Sequence, residues 1–312
     1  MLRHRLLFVT GKGGVGKTSV ACALAIAAAE KGLRVLLCET DSKGAIAREL
    51  NCAELEFTPT QPVADLDNLF AISITTQEAL EEYVQIFVRI PLVTRLGVLA
   101  KTLDFVADAA PGVKEVLTIG KVCYEVREKH YDLVIVDAES SGHVVSQIAS
   151  PEVIRSFVQV GLLANQTTWM TELLSDADIT GVVVVAAPEE SPVDEAIDLI
   201  ADLREKTSTV VAGIIANRVP EPFGTSRDRD LLRRLAIEHD ALNESLLRRV
   251  NGAEVAVRRR DDAVLQLERL REQCQPTPSI TIVPNFGSNF ASRSAIARQI
   301  AHHLIEEMSD DD

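Results

Sequence analysis

The stretch Gly11-Lys12-Gly13-Gly14-Val15-Gly16-Lys17-Thr18 fits the phosphate-loop spacing G-x-x-x-x-G-K-[ST]. Leu6 to Thr10, before it, is a short apolar run suited to a buried strand, and Thr18 to Lys31 is alanine-rich with helical periodicity. The loop therefore joins a strand to a helix, which is the frame this motif requires. There the glycines let backbone amides close around phosphates, and the helix N-terminus adds its partial positive charge. Lys17 reaches the β and γ oxygens, and the Thr18 hydroxyl ligates Mg²⁺. The candidate nucleotide contacts are Gly11, Gly13, Gly14, Val15, Gly16, Lys17, Thr18 and Ser19. Lys12 is a second lysine where most such loops carry something else. The alternative, an ordinary glycine-rich strand-to-helix turn, does not ask for both the residue types and the frame together.

Further apolar, β-branched runs follow at Arg34 to Glu39, Leu69 to Ile74, Asp132 to Asp137, Gly181 to Ala187, Val210 to Asn217 and Ile280 to Val283. They are short, nearly unbroken and separated by helical stretches, which predicts an α/β fold with a doubly wound, mainly parallel sheet covered on both faces. Two stretches break the alternation. Thr76 to Lys129 reads as largely helical with breaks near Pro91 and Pro111, and Arg227 to Gln273 as charged helix interrupted near Asn251-Gly252. Both are expected to be helical additions, at about 76–130 and 227–273, to one phosphate-loop domain spanning 1–312.

A chain of 312 residues with 46% hydrophobic content has ample material for a core. Its five cysteines, Cys22, Cys38, Cys52, Cys123 and Cys274, are scattered and form no C-x-x-C pair, arguing for a reducing, cytoplasmic setting and against a disulfide or zinc framework. No signal-like opening and no run of about 18 uninterrupted apolar residues occurs, so no integral membrane segment is expected. A net charge of -14, from 46 acids against 32 bases, disfavours nucleic acid as a partner. Ser294 to Asp312 reads as an amphipathic helix with an acidic end, the wrong sign for anionic lipid.

In an open parallel sheet, ligands sit beyond the carboxyl ends of the strands, so acids that finish strands are candidates for chemistry. Asp41 follows the second run and Asp137 closes the fourth, placing carboxylates where Mg²⁺ and phosphate would lie; the alternative for each is a helix N-cap. After Asp137 the chain reads Ala138-Glu139-Ser140-Ser141-Gly142-His143, where the glycine would let a backbone amide approach a γ-phosphate. His143 is either a switch residue or a partly buried structural histidine. Trp169 and Met170 either pack into the core or line a client groove.

With these pieces placed, the chain resembles the arsenical-pump and tail-anchored-protein-targeting ATPases, a branch of the deviant phosphate-loop NTPases. The loop matches in full. Thr40-Asp41 falls at the family's switch I Thr-Asp-Pro, and Asp137 with Gly142-His143 fits the frame of its switch II. Ala110-Pro111-Gly112 is similar to a Pro-Gly element of its helical subdomain, and Asn217 and Val283-Pro284 to its adenine-contacting asparagine and proline. The resemblance implies an ATP-hydrolysing dimeric switch that uses Mg²⁺ and whose nucleotide state controls a client or partner. In that frame Lys12 would cross to the partner's phosphates, Asp41 would orient the attacking water and Asp137 would hold the Mg²⁺ shell.

The departures carry their own expectations. Ser42 replaces the switch I proline and Ala138 to Ser141 replaces Thr-Ala-Pro-Thr, bringing Glu139 near the phosphates, so hydrolysis is expected to be slow or partner-dependent. The alternative is a catalytically weak regulatory subunit of a heterodimeric ATPase. The family's zinc-binding C-x-x-C is missing, so any dimer is held otherwise. The segment Asn165 to Met170 is similar to bacterial members that occur as unequal pairs, which admits a heterodimer as well as a homodimer. Nothing discloses the client, and the scattered cysteines support no arsenite site.

Overall fold

Each apolar run of the sequence becomes a strand: β1 (Leu6–Gly11), β2 (Val35–Glu39), β3 (Leu69–Ser73), β4 (Leu133–Asp137), β5 (Thr180–Ala186), β6 (Val210–Val219) and β7 (Ile280–Pro284). In the computed structural model, which describes residues 1–40, 44–88, 112–157, 162–237, 243–287 and 292–309, they form a 7-stranded sheet in the order β3-β2-β4-β1-β5-β6-β7. Every neighbouring pair in it is parallel. The order reverses around β1, so the crevice beyond the carboxyl ends of β1 and β4 is the topological switch point where ligands collect in such sheets.

The helices are α1 (Lys17–Glu30), α2 (Ala45–Leu50), α3 (Thr76–Tyr83), α4 (Val113–Arg127), α5 (Ser141–Phe157), α6 (Leu162–Ser175), α7 (Glu190–Lys206), α8 (Ser226–Ile237), α9 (Glu244–Gln273) and α10 (Arg293–Ser309). Because strand side chains alternate, each strand feeds two cores. Leu6 and Phe8, Val134 and Val136, and Val182 and Val184 enter one core, under α4, α5, α6 and α7. Leu7 and Val9, Leu133 and Ile135, and Val183 and Val185 enter the other, under α1 and α10. Helix α1 lies between the sheet and α10, so Val20 to Ala29 are all buried. Its run of alanines lets both neighbours approach closely, where larger side chains would force them apart. Removing a fully buried side chain such as Leu7 would cost about 2–5 kcal/mol.

The C-terminal amphipathic helix forms as α10 and turns Ala297, Ile300, Ala301 and Leu304 into the second core. Among the described residues, no helix is long and apolar enough to cross a membrane. Met170 is buried against Gly120, and Trp169 packs beside the first core with Arg127 4.8 Å over its ring. Both residues therefore follow the core reading.

The break expected near Asn251-Gly252 does not occur, since α9 runs unbroken through it. Gly252 faces open space and costs only its helix propensity, about 1 kcal/mol relative to alanine. The helix starts instead at Asn243, whose side chain accepts a bond from the Leu246 amide at 2.9 Å. The breaks near Pro91 and Pro111 lie outside the described residues. On either side of that stretch, Lys121 of α4 donates to Glu82 of α3 at 2.8 Å and to Glu125 at 2.7 Å. Burial works against the Lys121 charge, but these two carboxylates more than offset it and hold its pKa above the usual lysine value.

Candidate functional site

The loop after β1 is shaped by its glycines. A Cβ on Gly11 would lie 2.1 Å from the Val185 carbonyl oxygen, so only glycine lets β1 and β5 pass this closely. Gly16 caps α1 with φ 95 and no side-chain bond, leaving the first-turn amides of α1 for a ligand. That turn contains no acid. It presents amides, the helix dipole and the Lys17 ammonium, a combination suited to an anion. The Lys17 ammonium donates to the Lys12 carbonyl at 3.3 Å.

Asp137 is the last residue of β4, and the β1–β4 register sets it beside Val9, just before the loop. The Thr18 hydroxyl donates to its Oδ2 at 2.7 Å, while α5 begins only at Ser141. Asp137 is therefore bonded to the loop and does not cap that helix. Asp41 lies outside the described residues, together with Ser42 and Lys43. Glu39 closes the chain around that segment: it is buried, and its carboxylate accepts the amides of Gly44 at 3.2 Å and Ala45 at 2.5 Å, capping α2. Sequence reasoning passed over Glu39, whose one signal is an acid finishing a buried strand in register with Asp137.

Lys12 is held within its own chain. Its ammonium donates to Ser191 Oγ at 2.5 Å and lies 3.3 Å from Glu195 Oε1, both on the start of α7. His143 is 71% exposed, 3.7 Å from Glu139, so the buried structural reading of this histidine is overturned. Its position on the first turn of α5 turns the ring outward. Gly142 faces open space.

Next to the loop lies a cavity of about 440 Å³ whose other lining residues come from α2, the end of β6, the turn after β7 and the start of α10. Asn217, from β6, is buried there and donates to the Val15 carbonyl at 2.8 Å. Arg218, with φ 60, donates to the Gly14 carbonyl at 3.0 Å, and its own amide donates to Asn217 Oδ1 at 3.0 Å. Pro284 and Phe286 form part of the same wall, as do Gly14, Gly16, Thr18 and Ser19 on the loop side. The structure thus brings Asn217, Pro284, Gly14, Gly16, Lys17, Thr18 and Ser19 into the lining of one cavity, while Gly11, Lys12, Gly13, Val15 and Asp137 are not among its described lining residues. It adds Arg48, Glu49, Arg218, Phe286 and Arg293, which no local motif marks.

The cysteines are free, and burial raises the thiol pKa values of Cys22, Cys38 and Cys123 well above the ordinary range. Among the described residues, no group of three or more His, Cys, Asp and Glu side chains could hold a metal ion. The Thr18–Asp137 pair supplies instead the hard oxygen donors suited to a cation that is also held by its ligand's phosphates.

Comparison with known proteins adds a second line of evidence. The family model described as anion-transporting ATPase matches residues 4–172. The chain is similar to ATPase BagA of Mycobacterium tuberculosis, 27% identical over 225 residues that cover 69% of this chain and 66% of that protein. It is similar to ATPase get3 of Pyrenophora tritici-repentis, 29% identical over 210 residues that cover 66% of this chain and 59% of that protein. It is also similar to an arsenical pump-driving ATPase of Escherichia coli, 29% identical over 209 residues that cover 61% of this chain and 35% of that protein. The matches therefore span from just under two thirds to about one third of the relatives' lengths.

Proposed function

This chain belongs to the anion-transporting ATPase family, and from that premise we propose that it binds and hydrolyses ATP as a dimeric switch whose nucleotide state controls a client or partner. The observation that carries this reading is the meeting of the Gly11–Thr18 loop, Lys17 and the Thr18–Asp137 bond at the switch point of the sheet, beside a cavity with room for a nucleoside. The relatives named as ATPases support the same chemistry.

In this reading the loop amides and Lys17 hold the β- and γ-phosphates, and Asn217 with Pro284 contacts the base. Thr18 and Asp137 fit Mg²⁺ as a hydroxyl and a carboxylate 2.7 Å apart, Thr18 as a direct ligand and Asp137 through its shell. Bound there, the ion would neutralise charge developing on the phosphate oxygens. Asp41 orients the attacking water from the segment between Glu39 and α2. Lys12 leaves Ser191 and Glu195 and reaches the phosphates of a second subunit, identical or related, where its charge stabilises the transition state. Loss of the γ-phosphate is relayed through the Ala138–His143 segment and α2 to the helices that meet the client.

Phosphate release and intact-complex mass, measured with ATP and with ADP, test this reading. Wild-type protein turns over ATP and gains a subunit with ATP, while Lys17→Ala loses turnover by about 100-fold or more. Undiminished turnover in Lys17→Ala, or one mass in both nucleotides, would sink the assignment.

A further inference from the structure

Glu49 is the only acid among the described residues lining the cavity, in a wall that also carries Arg48, Arg218 and Arg293. The residue is 6% exposed. Among the described residues, no donor bonds its carboxylate and no cation pairs with it. Its side chain belongs to α2, over the face of α1 that carries Cys22. The Cys22 thiol registers this: burial raises its pKa most, and the carboxylates of Asp137 and then Glu49 raise it further. A carboxylate this buried gains from donors, and a ligand that fills the cavity it lines can supply them.

The groups that share the cavity with Glu49 say which donors those are. Phosphate-binding chemistry is gathered at the loop, which Asn217 abuts through Val15, while Pro284 and Phe286 line the cavity from the end of β7 and the turn after it. Glu49 lines the cavity together with Ser19, the residue directly after the loop. In a nucleoside triphosphate the group between phosphates and base is the sugar, and the vicinal hydroxyls of ribose are two donors spaced for one carboxylate. We infer that Glu49 reads the sugar: its carboxylate accepts the 2′- and 3′-hydroxyls, so the site takes ribonucleotides in preference to deoxyribonucleotides. This rests on the nucleotide reading of the cavity and deepens it.

Titration calorimetry of the full chain with Mg²⁺ and, in turn, ATP, 2′-deoxy-ATP, 3′-deoxy-ATP and inorganic tripolyphosphate tests the assignment. The wild type is expected to bind each deoxy analogue about tenfold more weakly than ATP, the loss of one bond to a charged group. Glu49→Ala is expected to bind all three nucleotides alike, with tripolyphosphate unchanged. Glu49→Gln, which keeps the volume and removes the charge, is expected to narrow the gap and guards against a folding defect in the alanine variant. Equal wild-type affinity for ATP and both analogues would overturn the inference. So would a gap that persists in both variants, which would mean that another group reads the sugar. A wild type that binds tripolyphosphate but no nucleotide, or binds nothing, would overturn the nucleotide reading itself and this inference with it.

Discussion

On one side of the cavity a single consecutive stretch, the Gly11 to Thr18 loop, supplies the groups suited to an anion. The rest of its lining is assembled from α2, the end of β6, the turn after β7 and the start of α10, which lie far apart in the chain. The first end is a property of the backbone: glycines set its path and a helix N-terminus sets its field, so its requirements appear as fixed residues at fixed spacings. The second is a property of packing, since Asn217 meets Val15 and Arg218 meets Gly14 only once the sheet has formed. A local site fails when its backbone is blocked. An assembled one degrades by steps.

That contrast can be broken most severely at Gly11. Alanine there would drive a Cβ into the Val185 carbonyl, 2.1 Å away, at a φ of 148. The expected result is a loss of about 3 kcal/mol in denaturant-midpoint stability, together with loss of ATP binding. A variant of native stability would mean that the strands can part without cost. The assembled end should yield less. Asn217→Ala removes the bond to Val15 and the bond received from Arg218, and ATP affinity should fall about tenfold by calorimetry while tripolyphosphate affinity changes little. Equal losses for both ligands would show that Asn217 serves the loop rather than the nucleoside.

The smallest effect concerns the anchoring of α10 behind that wall. Arg298 of α10 donates to Asp65 at 2.5 Å, and this bond holds the Asp65 carboxyl below the usual carboxylate range. A depressed carboxyl contributes stability that is complete above its unfolded pKa, about 3.9, and disappears as pH falls through the folded value. The melting-temperature difference between wild type and Asp65→Asn should therefore be small and constant above about pH 5 and shrink towards zero in acid. A difference independent of pH would remove the ion pair from the account.

The same contrast explains what could be read from the sequence. The strands were legible because a parallel strand covered on both faces must be apolar at every position, as in Val182 to Val185. The loop carried a signal of type and spacing, while Asn217 and Pro284 were marked only by the family resemblance. Glu49 did not, because an Arg-Glu pair on a short helix has the pattern of a solvated face, and only the approach of α1 and α10 buries it. Asn251-Gly252 misled in the opposite direction: a turn signal was overridden by continuous helix on both sides, while the true start lay at Asn243. The neighbours of Lys12 on α7 were invisible because contacts across such a separation leave no periodic trace.

The Lys12 contact with Glu195 has a consequence for assembly. A lysine that starts in water and ends against phosphate sheds ions, and such a step weakens steeply as salt rises. Here the ammonium starts 3.3 Å from a carboxylate. In the proposed dimer, moving it to a second subunit would exchange one counter-charge for another, so subunit association through this residue should vary little with ionic strength.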